Sequence, residues 1–501
     1  MSERVLVIGA GMAGLFAALA LAAPGRRIEV LERDPPAPDG GADEAFADWN
    51  RRGVGHLRHS HAFLARLRAV IARTHPALLE DFKAAGIQEL NFVDGLNPHA
   101  RARYRPEPED DGLTVLTSRR TTLELVMRRY VERLPGVRIR AGVNVVGLTG
   151  AKDDQGRYVC AGLQIEDAEG RRAETADVVV DGAGRLSQGF DWLAEAGVET
   201  PEEAEDAGIL YFTRHWRLLP GQAEPPRGKV PGAGDMGYIK YGVFPGDNGC
   251  FSVTLSVPEI EETLRAAVLR PEVFDRICAL LPGLSRWTDP ARATPISKVY
   301  GMGDLKSRWR STVRDGRPQA LNLFFLGDGL IRTNPLYGRG CTFAAIEAEA
   351  LAEALKAPDP AARALAYQAA VDRELRPFYL FMRGQDRQAI RRARHTLDGA
   401  YRPGLKARLA KSFASDCLAP ALRADPALLR EFMRGFHMLE LADVWLKRPA
   451  NRLKLLAMWA TPRPLKARHY PPRLGPERRE LFEALGLDPR ADAARLELVP
   501  A

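Results

Sequence analysis

Val5-Leu6-Val7-Ile8-Gly9-Ala10-Gly11-Met12-Ala13-Gly14, continued by the apolar run Leu15 to Ala22 and then by Ile28-Glu29-Val30-Leu31-Glu32, decides the fold of this chain. Four aliphatic residues in a row, without polar alternation, mark a strand buried on both faces, as parallel sheets require. Met12 to Ala22 reads as a helix, and the second apolar strand ends on Glu32, which completes a βαβ unit. Gly9, Gly11 and Gly14 stand at G-x-G-x-x-G spacing between strand and helix, and Glu32 follows at the distance expected of a ribose-binding acid. The first glycine permits the tight turn, the second lets the backbone approach a pyrophosphate, and the third lets helix and strand pack closely. The amides of Met12 and Ala13 at the helix start hold the anion while Glu32 accepts from the ribose hydroxyls.

Working outward, Val5 to Ala23 has nearly the length of a membrane span or signal peptide. The glycines interrupt it, and Glu3-Arg4 makes a poor basic leader, so neither a targeting nor a spanning segment is expected. At 501 residues two or three domains are expected, and 46% hydrophobic with 27% charged residues excludes disordered and collagen-like chains. The five cysteines are scattered, with no C-x-x-C pair, which supports neither a disulfide framework nor a zinc site and points to a reducing cytoplasm. The net charge of +8 includes basic clusters such as Arg391-Arg392-Ala393-Arg394, but no nucleic-acid-binding motif accompanies it. A solvated helix face or binding of anionic dinucleotides accounts for the charge; the basic, Trp-bearing C-terminal helices leave open peripheral contact with the inner face of a membrane.

Residues 34–55, rich in Pro, Gly and charge, read as a loop and His61 to Ala72 as a helix. Thr122 to Arg133 is a further helix, and Val137 to Ile139, Val143 to Leu148, Tyr158 to Ile165 and Ala173 to Val180 read as strands. From Gly208 to Val257 strands alternate, with Gly246-Asp247-Asn248-Gly249 as a hairpin turn, and this stretch is the expected substrate domain. A second glycine pattern, Gly232 to Gly237, leads into alternating residues rather than a helix and reads as a loop, so no second fingerprint for a stably bound nicotinamide cofactor is present. Leu321 to Leu326 is a buried strand, Cys341 to Lys356 a helix, and the chain beyond Pro358 is mostly helical. The large apolar residues between Leu429 and Trp459 read as helical packing surface or, more sharply, as the lid of an apolar channel.

Two further strand ends carry chemistry. Asp177-Val178-Val179-Val180-Asp181-Gly182 ends on an acid and a glycine turn. Phe324-Phe325-Leu326-Gly327-Asp328-Gly329 ends likewise, and Asn334-Pro335-Leu336-Tyr337-Gly338-Arg339-Gly340 then opens a helix. An Asp at a strand end holds a ribityl hydroxyl, and glycines let a helix N-terminus approach a flavin ring, whose anionic reduced form it favours.

In this order the motifs resemble the FAD-dependent aromatic hydroxylase superfamily, which includes p-hydroxybenzoate hydroxylase-like enzymes, squalene epoxidases, geranylgeranyl reductases and flavin-dependent halogenases. Arg52-Gly53-Val54, Arg58-His59-Ser60-His61 and Arg120-Thr121-Thr122-Leu123-Glu124 extend the match to a bacterial branch of FAD-dependent oxidoreductases. The resemblance covers about residues 1–360 well and the helical tail loosely. It implies that Gly9, Gly11, Met12, Ala13, Gly14, Glu32 and Arg33 hold the adenosine and phosphate end and that Arg52 and Arg120 approach the phosphate or the flavin edge. It further implies that Asp328, with Gly327, Pro335, Gly338 and Gly340, lies at the ribityl chain and ring, and that Asp181-Gly182 contacts both FAD and the nicotinamide donor. Ala183-Gly184-Arg185-Leu186-Ser187 departs from the family pattern after that motif, and the Trp-x-Trp-x-Ile-Pro signature of tryptophan halogenases is absent.

The expected architecture is α/β (α+β): a Rossmann-type FAD-binding domain with an inserted, mainly antiparallel β-sheet substrate domain and a helical C-terminal region. The divisions are 1–85, 110–190 and 300–358 for FAD, 86–109 and 191–299 for substrate, and 359–501 for the helices. The expected activity is that of a monooxygenase in which NAD(P)H reduces FAD and a flavin hydroperoxide derived from O2 hydroxylates or epoxidises a small apolar or aromatic molecule. Reduction of isoprenoid double bonds, or a non-enzymatic FAD-binding protein at a membrane surface, are the alternatives. No metal is expected: the two-residue spacing of His56, His59 and His61 suits no zinc-binding helix. His59 and His61 are candidates for contact with flavin or substrate, beside the plainer reading of loop hydrogen bonding. Cys341, at a helix start, is either a thiol of lowered pKa or, more plainly, a small residue packed on the ring.

Overall fold

The computed structural model describes residues 2–228 and 230–497. β1 (Glu3–Ile8), α1 (Met12–Leu21) and β2 (Arg26–Glu32) form the expected βαβ unit. With α2 (Arg120–Glu132), β3 (Val137–Ala141), β4 (Val178–Asp181) and β5 (Leu323–Phe325) they build a five-stranded sheet in the order β5-β4-β1-β2-β3, with every neighbour parallel. Val5, Val7, Val30 and Val180 are fully buried, which is why these strands read as continuous apolar runs. Ile8 pairs in register with Asp181, and Asp181 with Phe325. Parallel pairing therefore sets Gly9, Asp181-Gly182 and Gly327-Asp328 side by side at the carboxyl edge, the crevice where open α/β sheets bind ligands. Gly9 has φ +86°, and a Cβ on Gly14 would stand 1.8 Å from the Gly9 carbonyl oxygen, so both positions require glycine.

α3 (Gly340–Ala354) packs against α1, and the long α4 (Pro360–Leu397) packs on α3. Asn144–Lys152, Tyr158–Asp167 and Gly170–Thr175 form an antiparallel meander joined in parallel by Ala320–Leu321. The single strand expected over 173–180 is thus two, in different sheets. At the joint the Asp177 carboxylate accepts from the Arg4 amide at 2.7 Å and turns the chain from one sheet to the other.

The middle of the chain supplies a six-stranded sheet that runs Ala233–Asp235, Lys240–Pro245, Cys250–Pro258, Ile209–Leu218 and Ala293–Pro295, with Tyr300–Met302 also on Ile209–Leu218. Its core holds Trp216, Phe251 and Phe274 and, from the far end of the chain, Leu481 and Phe482. Within the expected loop at Gly232 to Gly237, Ala233–Asp235 is the edge strand of this sheet, paired with Lys240 to Gly242.

Two further local readings change. His61 to Ala72 is not one helix: Ser60–Phe63 is a strand and the helix begins at Ala65. Ser60–Phe63 pairs antiparallel with Leu116 to Arg119, so its amides are satisfied across the ladder and the helical pattern starts only beyond it. Within the expected loop 34–55, Ala42–Asp48 forms a short helix. Among the described residues no helix is long and apolar enough to cross a membrane.

Candidate active site

One cavity of about 1310 Å³ runs from the Gly9-Gly11 turn, past Asp328 and the start of α3, to Tyr241, Phe244 and Phe436. Every sequence-predicted cofactor residue except Gly14 lines it, as do His59 and His61. Gly14 packs α1 on the turn behind the wall, the role its spacing predicts.

The residues fit FAD. A Cβ on Gly11 would meet nothing within 4 Å, so the backbone there faces open space beside the first amides of α1, which lack intrahelical acceptors. Glu32 is braced by three donors: Ala10 N at 2.7 Å, Asp34 N at 2.9 Å and Arg51 Nη2 at 2.5 Å. Its Oε1 accepts only from Asp34 and keeps a lone pair for a ribose hydroxyl. The Asp328 carboxylate has no hydrogen-bond partner among the described residues. Burial pushes its pKa up, while Arg332, Arg120, Arg308 and Arg185 pull the other way. It is poised to accept from a polyol.

Of the pair Arg51-Arg52, Arg52 sits exposed on the lip of the cavity and Arg51 is buried. Arg51 pairs with Glu32 and Glu124, and Asp34 lies 3.6 Å away; Glu124 is also bridged to Arg120 at 3.0 Å. This cluster ties the loop after β2 to α2. The sequence shows two adjacent arginines but not which of them turns inward. Arg33 is exposed and lines the adenosine end.

Asp181 is buried with its carboxylate held by its own turn, accepting from Ala183 N at 2.9 Å and Ser187 Oγ at 2.7 Å. Ser187, part of the departure from the family pattern, thus shapes the turn. Gly327 has φ +64° and donates its amide to Glu347 on α3, which fixes the second acidic turn against the helix.

His59 is buried and hydrogen-bonds Thr213 Oγ1 through Nδ1 at 2.9 Å. His61 Nδ1 donates to the His59 carbonyl at 2.9 Å, leaving Nε2 as an acceptor. The His56 and His61 rings lie 5.4 Å apart. Burial pushes His56 down to about 3 and His59 to about 4, and burial with Arg120 holds His61 well below the usual imidazole range. All three are therefore neutral at neutral pH and act as hydrogen-bonding groups, not cations. No group of three or more His, Cys, Asp or Glu positioned for a metal occurs among the described residues. Arg120 Nη1 reaches Cys341 Sγ at 3.4 Å, yet burial pushes the Cys341 thiol up, so it remains a thiol.

The loop before α3 is pinned by a network without a sequence signal. Tyr211 donates to Asn334 Oδ1 at 2.5 Å, and Asn334 Nδ2 and the Tyr337 hydroxyl both donate to Asp386 Oδ1, at 2.7 and 3.1 Å. Asp386 lies inside α4, among charged residues that look solvent-facing in sequence, and burial pushes its carboxyl up to about 6. The apolar stripe of the C-terminal helices divides. Trp445 and Leu455 pack in a local core with Phe432 against them, as the packing reading expects, and Phe432 and Phe436 also line the cavity.

Residues 4–88 match the family model described as FAD dependent oxidoreductase. Protein Rv3254 of Mycobacterium tuberculosis (strain ATCC 25618 / H37Rv) is 28% identical over 460 residues, 87% of this chain and 90% of that one. Among solved structures, the flavin-dependent brominase Bmp2 superposes with a TM-score of 0.56 at 17% identity, over 88% of this chain and 100% of its own. PqsL from Pseudomonas aeruginosa, described as a probable FAD-dependent monooxygenase, gives 0.55 at 16% identity, over 78% of this chain and 98% of its own. At those identities the likeness is one of fold. Residues 4–88 thus match an FAD dependent oxidoreductase model in sequence, and the chain as a whole shares the fold of these flavin-dependent enzymes.

Proposed function

We propose that this protein is a monooxygenase that uses NAD(P)H and dioxygen to hydroxylate or epoxidise a small apolar or aromatic molecule. The observation that carries the reading is the continuity of one cavity from the dinucleotide cradle into a chamber walled by Tyr241, Val243, Phe244, Phe432 and Phe436. A flavin edge and an apolar substrate then share a space from which water is largely displaced. PqsL, of similar fold, is described as a probable monooxygenase and was solved in complex with 2-aminobenzoylacetate.

Bound FAD supplies the electron transfer between the nicotinamide donor and dioxygen. The chain's own residues do the rest. The Gly9-Gly11 turn and α1 would bind the pyrophosphate, Asp328 would accept from the ribityl chain, and the start of α3 would present its amides to the ring. The apolar walls exclude water and orient the substrate, and His61 Nε2 offers a neutral acceptor for a substrate hydroxyl proton. The test is to purify the yellow protein and follow oxygen uptake with NADH and NADPH over a panel of phenols, polyenes and prenyl lipids. Substrate-dependent, NAD(P)H-dependent oxygen consumption is expected. Turnover that proceeds equally well without oxygen overturns the reading and favours reduction of isoprenoid double bonds.

A further inference from the structure

From Gly399 to Ser415 the chain holds four Lys or Arg residues and no acid, and from Val444 to Pro476 it holds eight and again no acid. Together these two runs carry more positive charge than the net +8 of the whole chain. They fold into helices that meet. α5 (Leu405–Ser412) continues into the π-helical turn Phe413–Leu418, which packs along α6 (Pro449–Ala460). The Phe413 and Trp459 rings stand edge to face at 5.5 Å, Trp459 Nε1 donates to Ser412 Oγ at 3.1 Å, and the Cys417 thiol donates to the Leu455 carbonyl at 3.2 Å.

The outer side of this pair is apolar. Leu405, Leu409, Leu453, Leu456 and Leu465 are 52 to 72% exposed. α5 buries none of its 8 residues, although so short a helix needs apolar contacts to hold its shape in water. Leu405 and Leu409 are one turn apart on the stripe that leads to Phe413 and so to Trp459, and on α6 Leu453, Leu456, Ala457 and Ala460 share one exposed face at i, i+3, i+4 and i+7 spacing. Lys447, Arg448, Lys454 and Arg463 are paired with carboxylates. Lys406, Arg408, Lys411, Arg452 and Arg468 are exposed and make no ion pair among the described residues.

Leucines ringed by unpaired lysines and arginines fit the interface of a bilayer that bears anionic headgroups. The leucines enter the acyl boundary, while the long basic side chains lay their methylenes along it and keep their charges at the phosphates. A second copy would set the same basic face against itself in a symmetric contact and be repelled. Nucleic acid would answer the charge and leave the leucines in water. We propose that α5, α6 and Leu465 form a docking face for an anionic phospholipid surface, where α5 gains the apolar contact it lacks in the free protein. The contact is peripheral, since no helix among the described residues is long and apolar enough to cross a membrane. Phe432, on the cavity wall, packs against the same small core as α6, so docking would bring the chamber close to the bilayer whichever reaction the chamber performs.

The test is co-sedimentation of the FAD-loaded protein with vesicles of phosphatidylcholine alone and with about 30% phosphatidylglycerol. Partition into the anionic vesicles is expected to be at least about tenfold the stronger. Leu405→Ser with Leu409→Ser, and separately Leu453→Ser with Leu456→Ser, should each weaken it about tenfold, while FAD content and melting temperature stay at the wild-type value. Lys406→Glu with Lys411→Glu should remove the preference for phosphatidylglycerol. No partition into the anionic vesicles, or partition that neither leucine pair alters, overturns the proposal; the second result, with equal binding to duplex DNA, would give the face to any polyanion. A lowered melting temperature of both leucine pairs also overturns it, because those side chains would then pack within the protein. So does a dimer in analytical ultracentrifugation that Leu453→Ser with Leu456→Ser dissociates, which would give the face to a second copy. None of these readouts involves turnover, so failure here is distinct from failure of the monooxygenase reading.

Discussion

Replacing Glu347 by glutamine should make the protein more stable above neutral pH and leave it nearly unchanged in acid. Glu347 lies fully buried on α3, its Oε2 accepts the Gly327 amide, and its Oε1 has no partner. Burial, reinforced by the nearby Asp328, pushes its carboxyl up to about 8 from an ordinary 4.5, against the opposing pull of the Gly327 amide. The folded protein therefore holds Glu347 protonated, and a raised folded value means that stability is complete below about 4.5 and drains away as pH rises towards 8. At about 1.4 kcal/mol per pH unit the loss approaches roughly 3–5 kcal/mol, a large share of the roughly 5–15 kcal/mol of a typical domain. Glu347→Gln keeps an oxygen for the Gly327 amide and removes the titration. Thermal melts of the FAD-loaded wild type and variant from pH 4.5 to pH 9 should diverge progressively as pH rises and level off above about pH 8, with the variant higher. Parallel curves, or a variant that melts lower at pH 8.5, would refute the reasoning, because Glu347 would then be ionised and stabilised by a partner the buried geometry does not provide.

Three other substitutions separate cofactor binding from folding. Gly14→Ala puts a Cβ 1.8 Å from the Gly9 carbonyl oxygen, so the variant should purify with little or no flavin, as its visible absorbance will report. Arg51→Met strips the charged partner from buried Glu32 and one of the two from buried Glu124, and should destabilise the protein by about 3–5 kcal/mol in urea denaturation. Asp328→Ala removes a carboxylate with no hydrogen-bond partner among the described residues, so FAD affinity should fall about tenfold or more in fluorescence titration, while the flavin-free protein should melt no higher than the wild type because Arg120, Arg185, Arg308 and Arg332 lose a carboxylate that all four face.

The parallel sheet was legible because its physical demands are local. A strand buried on both faces must be apolar throughout, the turn after β1 must be glycine where φ is positive or a helix approaches, and the acid at each strand end stands next to its glycine in sequence. The strand at Ser60–Phe63 was not legible, because its Ser-His-Ala-Phe pattern becomes a strand only through pairing with Leu116 to Arg119, more than fifty residues away. The same holds for the site. Gly9, Glu32 and Asp328 announce themselves within motifs, whereas Arg51, Asp386 and His437 depend on which side of a loop or helix turns inward, and that is settled by partners distant in the chain.

The basic balance of the chain gains a specific meaning from where its arginines sit. Most ion pairs along the surface set one guanidinium against one carboxylate and are worth little individually. Around Asp328 the proportion changes: Arg120, Arg185, Arg308 and Arg332 all act on that one carboxylate, although Arg120 also bridges to Glu124 and Arg185 to Asp304. Such an excess of buried or half-buried positive charge is unfavourable in the protein alone, since each guanidinium gives up hydration for incomplete pairing. It becomes favourable when an anion enters. A pyrophosphate at the first turn and a reduced flavin at the start of α3 would place negative charge along the cavity, where helix N-termini and these arginines supply positive potential. On the proposed function, part of the net charge of +8 that read in sequence as a solvated face or a binding potential would then be a cofactor potential turned inward.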